Sequence, residues 1–159
     1  MPKHEIEPIF DSNSRILVLG SFPSVKSREE GFFYGHPQNR FWRVLAAVFE
    51  TEQPVTIKDK KRLLLSNRIA VWDVIHSCDI TGSSDTSIRN VVANDLSTIL
   101  DVAHIEKIFV NGKKAEELYK KYIYPNTKIT AICLPSTSPA NASWSFNKLC
   151  EAWSCIRSE

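Results

Sequence analysis

The sequence predicts a three-layer α/β/α domain with a central, mainly parallel sheet of four strands. Two observations predict this fold class: short apolar runs recur along the chain, and helical patterns lie between them. The runs are apolar on both faces, which is typical of buried parallel strands. Strands that alternate with helices imply right-handed crossovers that place helices on the sheet faces.

The predicted strands are RILVLG at 15–20, IAVWDVI at 69–75, KIFVNG at 107–112 and KITAICLP at 128–135. In a sheet of this kind, ligands bind beyond the carboxyl ends of the strands. A site is therefore expected in the segments that follow those ends, which are residues 21–38, 76–90, 112–114 and 136–143.

Helical periodicity fills the intervals between the predicted strands. In NRFWRVLAAVF (39–49), Phe41, Leu45 and Val48 share one stripe, and Phe41 and Trp42 are expected to face the core. Further helices are predicted at 57–68, 94–103, 113–123 and 142–156.

Length and composition limit the class of protein. With 159 residues, 43% of them hydrophobic, the chain fits one domain that spans 1–159. Twenty basic and eighteen acidic residues leave a net charge of +2, which is too small to indicate a polyanionic partner. No apolar stretch is long enough to cross a membrane, and the N-terminus lacks a signal-peptide core. We expect a monomeric, cytoplasmic protein with no membrane partner.

The cysteines and histidines indicate no metal site. Cys78, Cys133, Cys150 and Cys155 form no C-x-x-C pair and are expected to be small core residues in a reducing compartment. The histidines are scattered without ligand spacing. A G-x-S-x-G nucleophile elbow is also absent, which disfavours a small-molecule hydrolase. We expect neither a metal nor another cofactor.

GSFPS (20–24), after the first predicted strand, can present backbone N–H groups to an anion, although a plain strand-exit turn is the simpler interpretation. Lys26, two residues after this stretch, fits a phosphate contact or a solvated lysine better than an amine nucleophile. SDTSIRN (84–90) and STSPAN (136–141) are rich in hydroxyl groups, which suit phosphate oxygens and helix caps alike.

GFFYGHPQNRFW (31–42) crowds aromatic residues into one short loop with two glycines. Aromatic rings can stack on an unpaired base without demanding one sequence. The alternative is a loop that folds back to cover its own core.

Together these stretches resemble the uracil-DNA glycosylase superfamily over most of the chain. GSFPS is similar to the first catalytic motif, and YGHPQNRFW is similar to the FAHPxNRFW stretch of the mismatch-specific branch. VWDVI resembles the strand that carries the base-reading residue, and LPSTSPAN resembles the second motif, whose loop enters the DNA minor groove. The motifs come in the order that the superfamily has.

Departures from the superfamily pattern point to one of its branches. Phe22 stands where most members have Asp or Asn, and Leu134 where many have His or Asn. The combination is similar to the hypoxanthine-DNA glycosylase branch, in which the Asn of the NRFW stretch takes over catalysis. That residue is Asn39 here. Ser24 stands where members that exclude purines have Tyr, so the resemblance implies a pocket with room for a purine.

The resemblance implies a role for each group of residues. Asn39 is the catalytic residue, Tyr34 stacks on the extruded base, and Asp73 lies at the polar edge of that base. Phe22 and Ser24 complete the base-binding set. The implied DNA-binding residues are Ser21, Lys26, Ser136, Thr137, Ser138, Pro139, Ala140 and Asn141.

These residues predict a monofunctional DNA glycosylase that acts on DNA containing a deaminated base. Hypoxanthine is the expected base, released by base flipping and attack of water on the N-glycosidic bond. Two alternatives stay open. The enzyme could prefer uracil or xanthine, or the domain could only recognise damaged or single-stranded DNA because Phe22 and Leu134 replaced polar residues.

Overall fold

The computed structural model describes residues 6–79 and 88–157. Its strands are β1 (Ile16–Gly20), β2 (Ile69–Asp73), β3 (Ile75–Asp79), β4 (Arg89–Ala93), β5 (Lys107–Asn111) and β6 (Ala131–Leu134). Its helices are α1 (Val25–Glu30), α2 (Phe41–Val48), α3 (Ile57–Ser66), α4 (Ser97–Leu100), α5 (Lys113–Tyr122), α6 (Tyr124–Thr127) and α7 (Phe146–Trp153). A 3-10 turn, Ser154–Ile156, follows α7.

Four strands form one parallel sheet in the order β2-β1-β5-β6, which confirms the predicted fold class. β1 and β2 are buried along their whole lengths, as their two apolar faces require. The register pairs Gly20 with Asp73 and Asn111 with Leu134, so the carboxyl ends of the strands meet at one edge.

The helices pack on this sheet through aliphatic and aromatic side chains. α3 packs on β2, α5 packs on β5 and β6, and α2 packs against α7. Phe41 and Trp42 are buried as predicted, and the ring of Phe41 lies edge-on to that of Trp153, with centroids 5.8 Å apart. This contact fixes the start of α2 against the last helix.

The antiparallel pair of β3 and β4 is not predicted by the sequence pattern. The apolar run at 69–75 is divided, because β2 ends at Asp73 and the amides of Val74 and Ile75 bond to the carbonyls of Gly20 and Ser21 at 2.8 and 3.0 Å. Residues 80–87 lie outside the described part of the chain, and they include most of the SDTSIRN stretch.

Capping residues move several element boundaries away from their predicted positions. α2 begins at Phe41 because the side chain of Asn39 accepts the Phe41 amide, and α7 begins at Phe146 because Ser145 caps it. The strand predicted from residue 128 begins at residue 131, since Lys128 ends α6 in the left-handed region at φ 58°.

The cysteines are free and differ in exposure. Cys78 is buried, but Cys155 is exposed, so the expectation that the cysteines are core residues is wrong at position 155. Within residues 6–79 and 88–157, no three His, Cys, Asp or Glu side chains cluster closely enough to hold a metal ion. Among the described helices, none combines the length and the hydropathy that crossing a bilayer requires.

Candidate active site

A cavity of about 330 Å³ opens at the carboxyl edge of the parallel sheet. The segments that follow β1, β2, β5 and β6 form its wall, together with part of the loop between α1 and α2. Its volume lies at the lower end of the range of small-molecule pockets, about 300 to 1,000 Å³. Every predicted site residue lines this cavity except Lys26 and Asn141.

Gly20, the last residue of β1, lets two polar side chains approach the strand closely. A Cβ atom at this position would collide with Oδ1 of Asp73 and lie 3.0 Å from the hydroxyl oxygen of Tyr34. The carboxylate and the hydroxyl therefore share the floor of the cavity, beside the backbone of β1.

Ser24 lines the cavity as the cap of α1, a helix that the sequence analysis leaves as a loop. Its hydroxyl accepts a hydrogen bond from the amide of Ser27 at 3.1 Å. The hydroxyl of Ser27 in turn accepts from the amide of Gly35 at 2.8 Å. Ser27, which the sequence analysis does not single out, therefore ties α1 to the aromatic loop.

Phe22 and Lys26 occupy different surroundings. Phe22 lines the cavity, and the guanidinium of Arg28 lies 5.3 Å from the centre of its ring. An apolar ring at this wall has no group that could activate water. The ammonium of Lys26 lies 3.6 Å from the carboxylate of Glu30, and the structure does not bring Lys26 to the cavity wall.

Asn39 reaches the cavity from the position just before the start of α2. Its Oδ1 accepts a hydrogen bond from the amide of Phe41 at 2.9 Å, and its own backbone amide donates to the carbonyl of His36 at 2.9 Å. The side-chain oxygen thus satisfies one of the free N–H groups at the start of the helix. The NH₂ group is the donor that this carboxamide can offer to a ligand.

Tyr34 combines an unusual backbone with an unsatisfied polar atom. Its φ of 54° lies in the left-handed region, which is rare for an aromatic residue. One face of its ring stacks on Phe41, with centroids 4.0 Å apart. The hydroxyl oxygen is buried and has no hydrogen-bond partner among the described residues. Such an atom costs stability in the free protein, which favours a role toward a bound molecule.

The surroundings of Tyr34 keep its hydroxyl protonated. Burial and, second, the negative charge of Asp73 raise the pKa of Tyr34 above its ordinary value, while the side chain of Asn111 opposes them to a smaller extent. The hydroxyl is therefore a hydrogen-bond donor at neutral and mildly alkaline pH.

Asp73 ends β2 with only 3% of its surface exposed. Its backbone carbonyl accepts from the side-chain amide of Asn94 at 2.9 Å, and that amide also donates to the carbonyl of Ile75 at 3.2 Å. Asn94, which the sequence analysis does not single out, thus fixes the strand end that presents the carboxylate. A carboxylate offers acceptors to a ligand.

The second loop, residues 135–141, is held from within the protein. The indole of Trp153 donates to the carbonyl of Pro135 at 2.9 Å. Asn111 makes two bonds to Thr137: its Nδ2 donates to Oγ1 at 3.0 Å, and its Oδ1 accepts from the backbone amide at 3.1 Å. Thr137 is fully buried, and its side chain is engaged by Asn111 at the end of β5.

The rest of the second loop faces the cavity, with one exception. Ser136, Ser138, Pro139 and Ala140 line the wall. Asn141 does not, because its side-chain amide turns inward and donates to the carbonyl of Ser136 at 3.0 Å.

Lys113 and Lys114, at the start of α5, add positive charge to the wall. The sequence predicts that this segment lies at the edge of the site, but its pattern indicates no role for the two lysines. Gly112, which precedes the helix, has φ 95°, and a Cβ atom there would lie 3.0 Å from Cβ of Ser136. The glycine is therefore the signal that β5 and the second loop approach each other closely.

Two curated relatives are named hypoxanthine DNA glycosylase. The chain is 35% identical to the protein from Methanosarcina acetivorans over 158 residues, which cover 98% of both chains. It is 35% identical to the protein from Methanosarcina barkeri over 119 residues, which cover 74% of this chain and 75% of that one.

The fold has a close counterpart among solved structures. A solution NMR structure of a Methanosarcina acetivorans protein, described as a candidate uracil DNA glycosylase, matches with a TM-score of 0.81 and 32% identity over 96% of this chain and 94% of that chain. The model of the family described as "Uracil DNA glycosylase superfamily" matches residues 7–157. The chain therefore belongs to the uracil DNA glycosylase superfamily.

Proposed function

We propose that this chain is a monofunctional DNA glycosylase that releases a deaminated base from DNA, above all hypoxanthine from deoxyinosine. One observation carries the proposal: Asn39, Tyr34 and Asp73 line a single cavity, although they come from separate parts of the chain. The names of the relatives at 35% identity support the same activity.

A base must leave the duplex before it can enter this cavity. Extrusion is least costly for a base in a weak or mismatched pair. Hypoxanthine, the product of adenine deamination, pairs poorly with thymine. Selection of the damaged base therefore begins before any hydrogen bond reads it.

The polar floor of the cavity reads the edge of the extruded base. The carboxylate of Asp73 accepts from a ring N–H, and the hydroxyl of Tyr34 donates to the neighbouring carbonyl oxygen. Hypoxanthine and uracil both present an N–H beside a carbonyl, whereas adenine presents an amino group beside a ring acceptor. Asp73 and Tyr34 together therefore favour a deaminated base over adenine.

The other walls suit a ring system of two fused rings. Phe22 packs against the base, and the small side chain of Ser24 leaves room for a purine. The ring of Tyr34 contacts the base with the side that Phe41 does not cover, at an inclination that lets its hydroxyl reach the edge of the base.

Cleavage of the N-glycosidic bond places positive charge on the sugar and negative charge on the departing base. The NH₂ group of Asn39 donates to the departing base, and the second lone pair of its oxygen orients the attacking water. One preorganised donor of this kind contributes about 3 to 4 kcal/mol in comparable roles. Because a neutral amide gains or loses no proton, Asn39 is not a general acid or base. It acts through the hydrogen bonds that its position allows.

The second loop follows the DNA strand. Ser136 and Ser138 bind phosphate oxygens, and the tip from Pro139 to Asn141 fills the space that the extruded base leaves. Ser21 and Lys26, in the segment that follows β1, add contacts to the DNA backbone.

The chain works as one domain and as a monomer. A continuous hydrophobic core that includes residues from every strand of the parallel sheet supports a single domain over 1–159. The reaction uses no metal and no other cofactor, because the carboxamide of Asn39 both orients the attacking water and donates to the departing base.

Release of free base from duplexes that contain inosine, uracil or xanthine tests the proposal. We expect inosine to react fastest and adenine not to react. Faster release of uracil or xanthine would change the substrate but keep the enzyme class. Tight binding of the damaged duplex without release of free base, even at excess protein, would indicate a domain that only recognises damaged DNA. The apolar residues Phe22 and Leu134 favour this second candidate.

A further inference from the structure

Arg40 joins the two loops that form the opposite walls of the cavity. Its guanidinium donates from Nη1 to the carbonyl of Trp144 and from Nη2 to the carbonyl of Asn141, the latter at 3.1 Å. Its backbone amide donates to the carbonyl of Thr137 at 3.0 Å. These partners lie about a hundred residues further along the chain.

The guanidinium of Arg40 reaches the end of the second loop, at Asn141, and the segment just after it, at Trp144. Trp153 and Asn111 hold the beginning of the second loop, at Pro135 and Thr137. Arg40 therefore links the far end of this loop to the loop that carries Asn39. The guanidinium can make both bonds together because its donors are arranged in a rigid planar fork.

Arg40 is also the direct neighbour of the residue that acts on the base. The backbone of Arg40 forms the start of α2, and the Asn39 oxygen bonds to the helix one residue further on. Any shift of the second loop is therefore passed to Asn39 through a single peptide unit.

We propose that Arg40 is a positioning residue that holds the second loop and Asn39 in one fixed geometry, an inference that rests on the proposed glycosylase activity. The loop that enters the DNA and the carboxamide that acts on the extruded base then move as one unit. A misplacement of a reacting group by about 1 Å can cost a hundredfold in rate, so such a clamp controls the chemical step.

Three variants test this inference. Arg40→Gln removes the charge and the fork, Arg40→Lys keeps the charge but loses the fork, and Arg43→Gln removes a charge from the exposed side of α2 as the matched control. For each variant, the single-turnover rate of base release at saturating protein is measured on a deoxyinosine duplex. The dissociation constant is measured on a duplex with a tetrahydrofuran abasic-site analogue.

We expect both Arg40 variants to lower the saturating rate at least tenfold, because loop and carboxamide lose their common geometry. The dissociation constant should rise by less than about threefold in Arg40→Lys, since its charge is retained. Arg43→Gln should keep the wild-type rate. Three outcomes would overturn the inference. The first is a wild-type rate of base release in Arg40→Lys. The second is a rate in Arg43→Gln that falls as far as the rate in Arg40→Gln, and the third is a change in DNA affinity with no change in rate.

A second measurement does not depend on activity. Backbone amides of residues 138–144 should exchange with deuterium faster in Arg40→Gln than in the wild type, while amides of β1 should not change. Unchanged exchange in 138–144 would overturn the inference. If Arg40→Gln does not fold, Arg40→Lys carries both measurements. A wild-type chain that releases no base would instead refute the proposed function.

Discussion

Position 39 combines a structural and a chemical requirement in one carboxamide. Its oxygen bonds to the amide of Phe41, which orients the whole group before any ligand arrives. Its nitrogen is then the donor available to a departing base. The bond to the first amide of α2 therefore supplies the preorganisation that electrostatic catalysis needs.

Two substitutions at position 39 separate these requirements. Asn39→Ala loses both the bond to the Phe41 amide and the donor, so we expect at least a hundredfold slower base release, comparable with the loss of one oxyanion-hole donor. The free energy of unfolding should also fall by about 0.5 to 1.5 kcal/mol, the net contribution of one hydrogen bond. Asn39→Asp keeps an oxygen that can accept from the Phe41 amide and should stay as stable as the wild type, but it should be as slow as Asn39→Ala. Single-turnover cleavage and urea denaturation provide the two readouts, and an active Asn39→Asp would show that the NH₂ group is not required.

Tyr34→Phe removes the buried hydroxyl but keeps the ring that stacks on Phe41. We expect roughly fivefold slower release of hypoxanthine, because one hydrogen bond to the base contributes about 1 kcal/mol net. The free energy of unfolding should not fall, since the hydroxyl has no partner among the described residues of the free protein. Tyr124→Phe, at a partly exposed tyrosine, is the matched control. If the rate of base release is unchanged and the free energy of unfolding falls, the hydroxyl stabilises the fold and does not bind the base.

At the scale of elements, the bond pair between β5 and the second loop holds the edge of the cavity. Thr137→Val preserves the shape of the buried side chain but leaves the Nδ2 group of Asn111 without its acceptor at Thr137. We therefore expect the free energy of unfolding to fall by about 1 to 3 kcal/mol. Thr98→Val, at an exposed position of α4, should have little effect. Urea denaturation of both variants checks this, and equal stabilities would mean that the bond from Asn111 to the Thr137 hydroxyl contributes nothing.

The parallel strands could be predicted because burial on both faces leaves a local signal in the sequence. The runs at β1, β2 and β5 carry that signal. The run at β6 is equally apolar, but β6 lies at the edge of the sheet and Ile132 is exposed. β4 was not predicted because most of its residues are exposed, and β3 was not predicted because it continues directly from the β2 run. Helix starts were predicted too early where a polar side chain such as Asn39 or Ser145 ends the loop.

At the scale of the whole molecule, the site is an assembly of strand ends. Asn39, Tyr34 and Asp73 could be proposed from sequence because they lie within motifs of a known family. Asn111 and Arg40 could not, because their partners lie 26 and about a hundred residues away, and no local pattern encodes such pairings. The sequence therefore predicted the side chains that line the cavity better than the side chains that position them.

The cavity as a whole also determines whether the strand is cut after the base leaves. A bifunctional enzyme needs a lysine that attacks the sugar. Lys26 pairs with Glu30 and does not line the cavity. Lys114 lines the cavity but pairs with Glu117 at 3.3 Å. Among the described residues, Lys113 is therefore the remaining lysine of the cavity wall that could act as a nucleophile. Since the side chain of Lys113 is exposed, we expect no covalent attack and an intact abasic strand.

Borohydride trapping on deoxyinosine DNA measures this directly. We expect no covalent protein–DNA adduct and strand breaks only after treatment with hot alkali, because water is the nucleophile. We also expect full activity in EDTA, because the roles proposed for Asn39, Tyr34 and Asp73 need no metal ion. Lys113→Met should release base at close to the wild-type rate. An adduct that forms with the wild type and disappears in Lys113→Met would identify Lys113 as a nucleophile, and the enzyme would then be bifunctional.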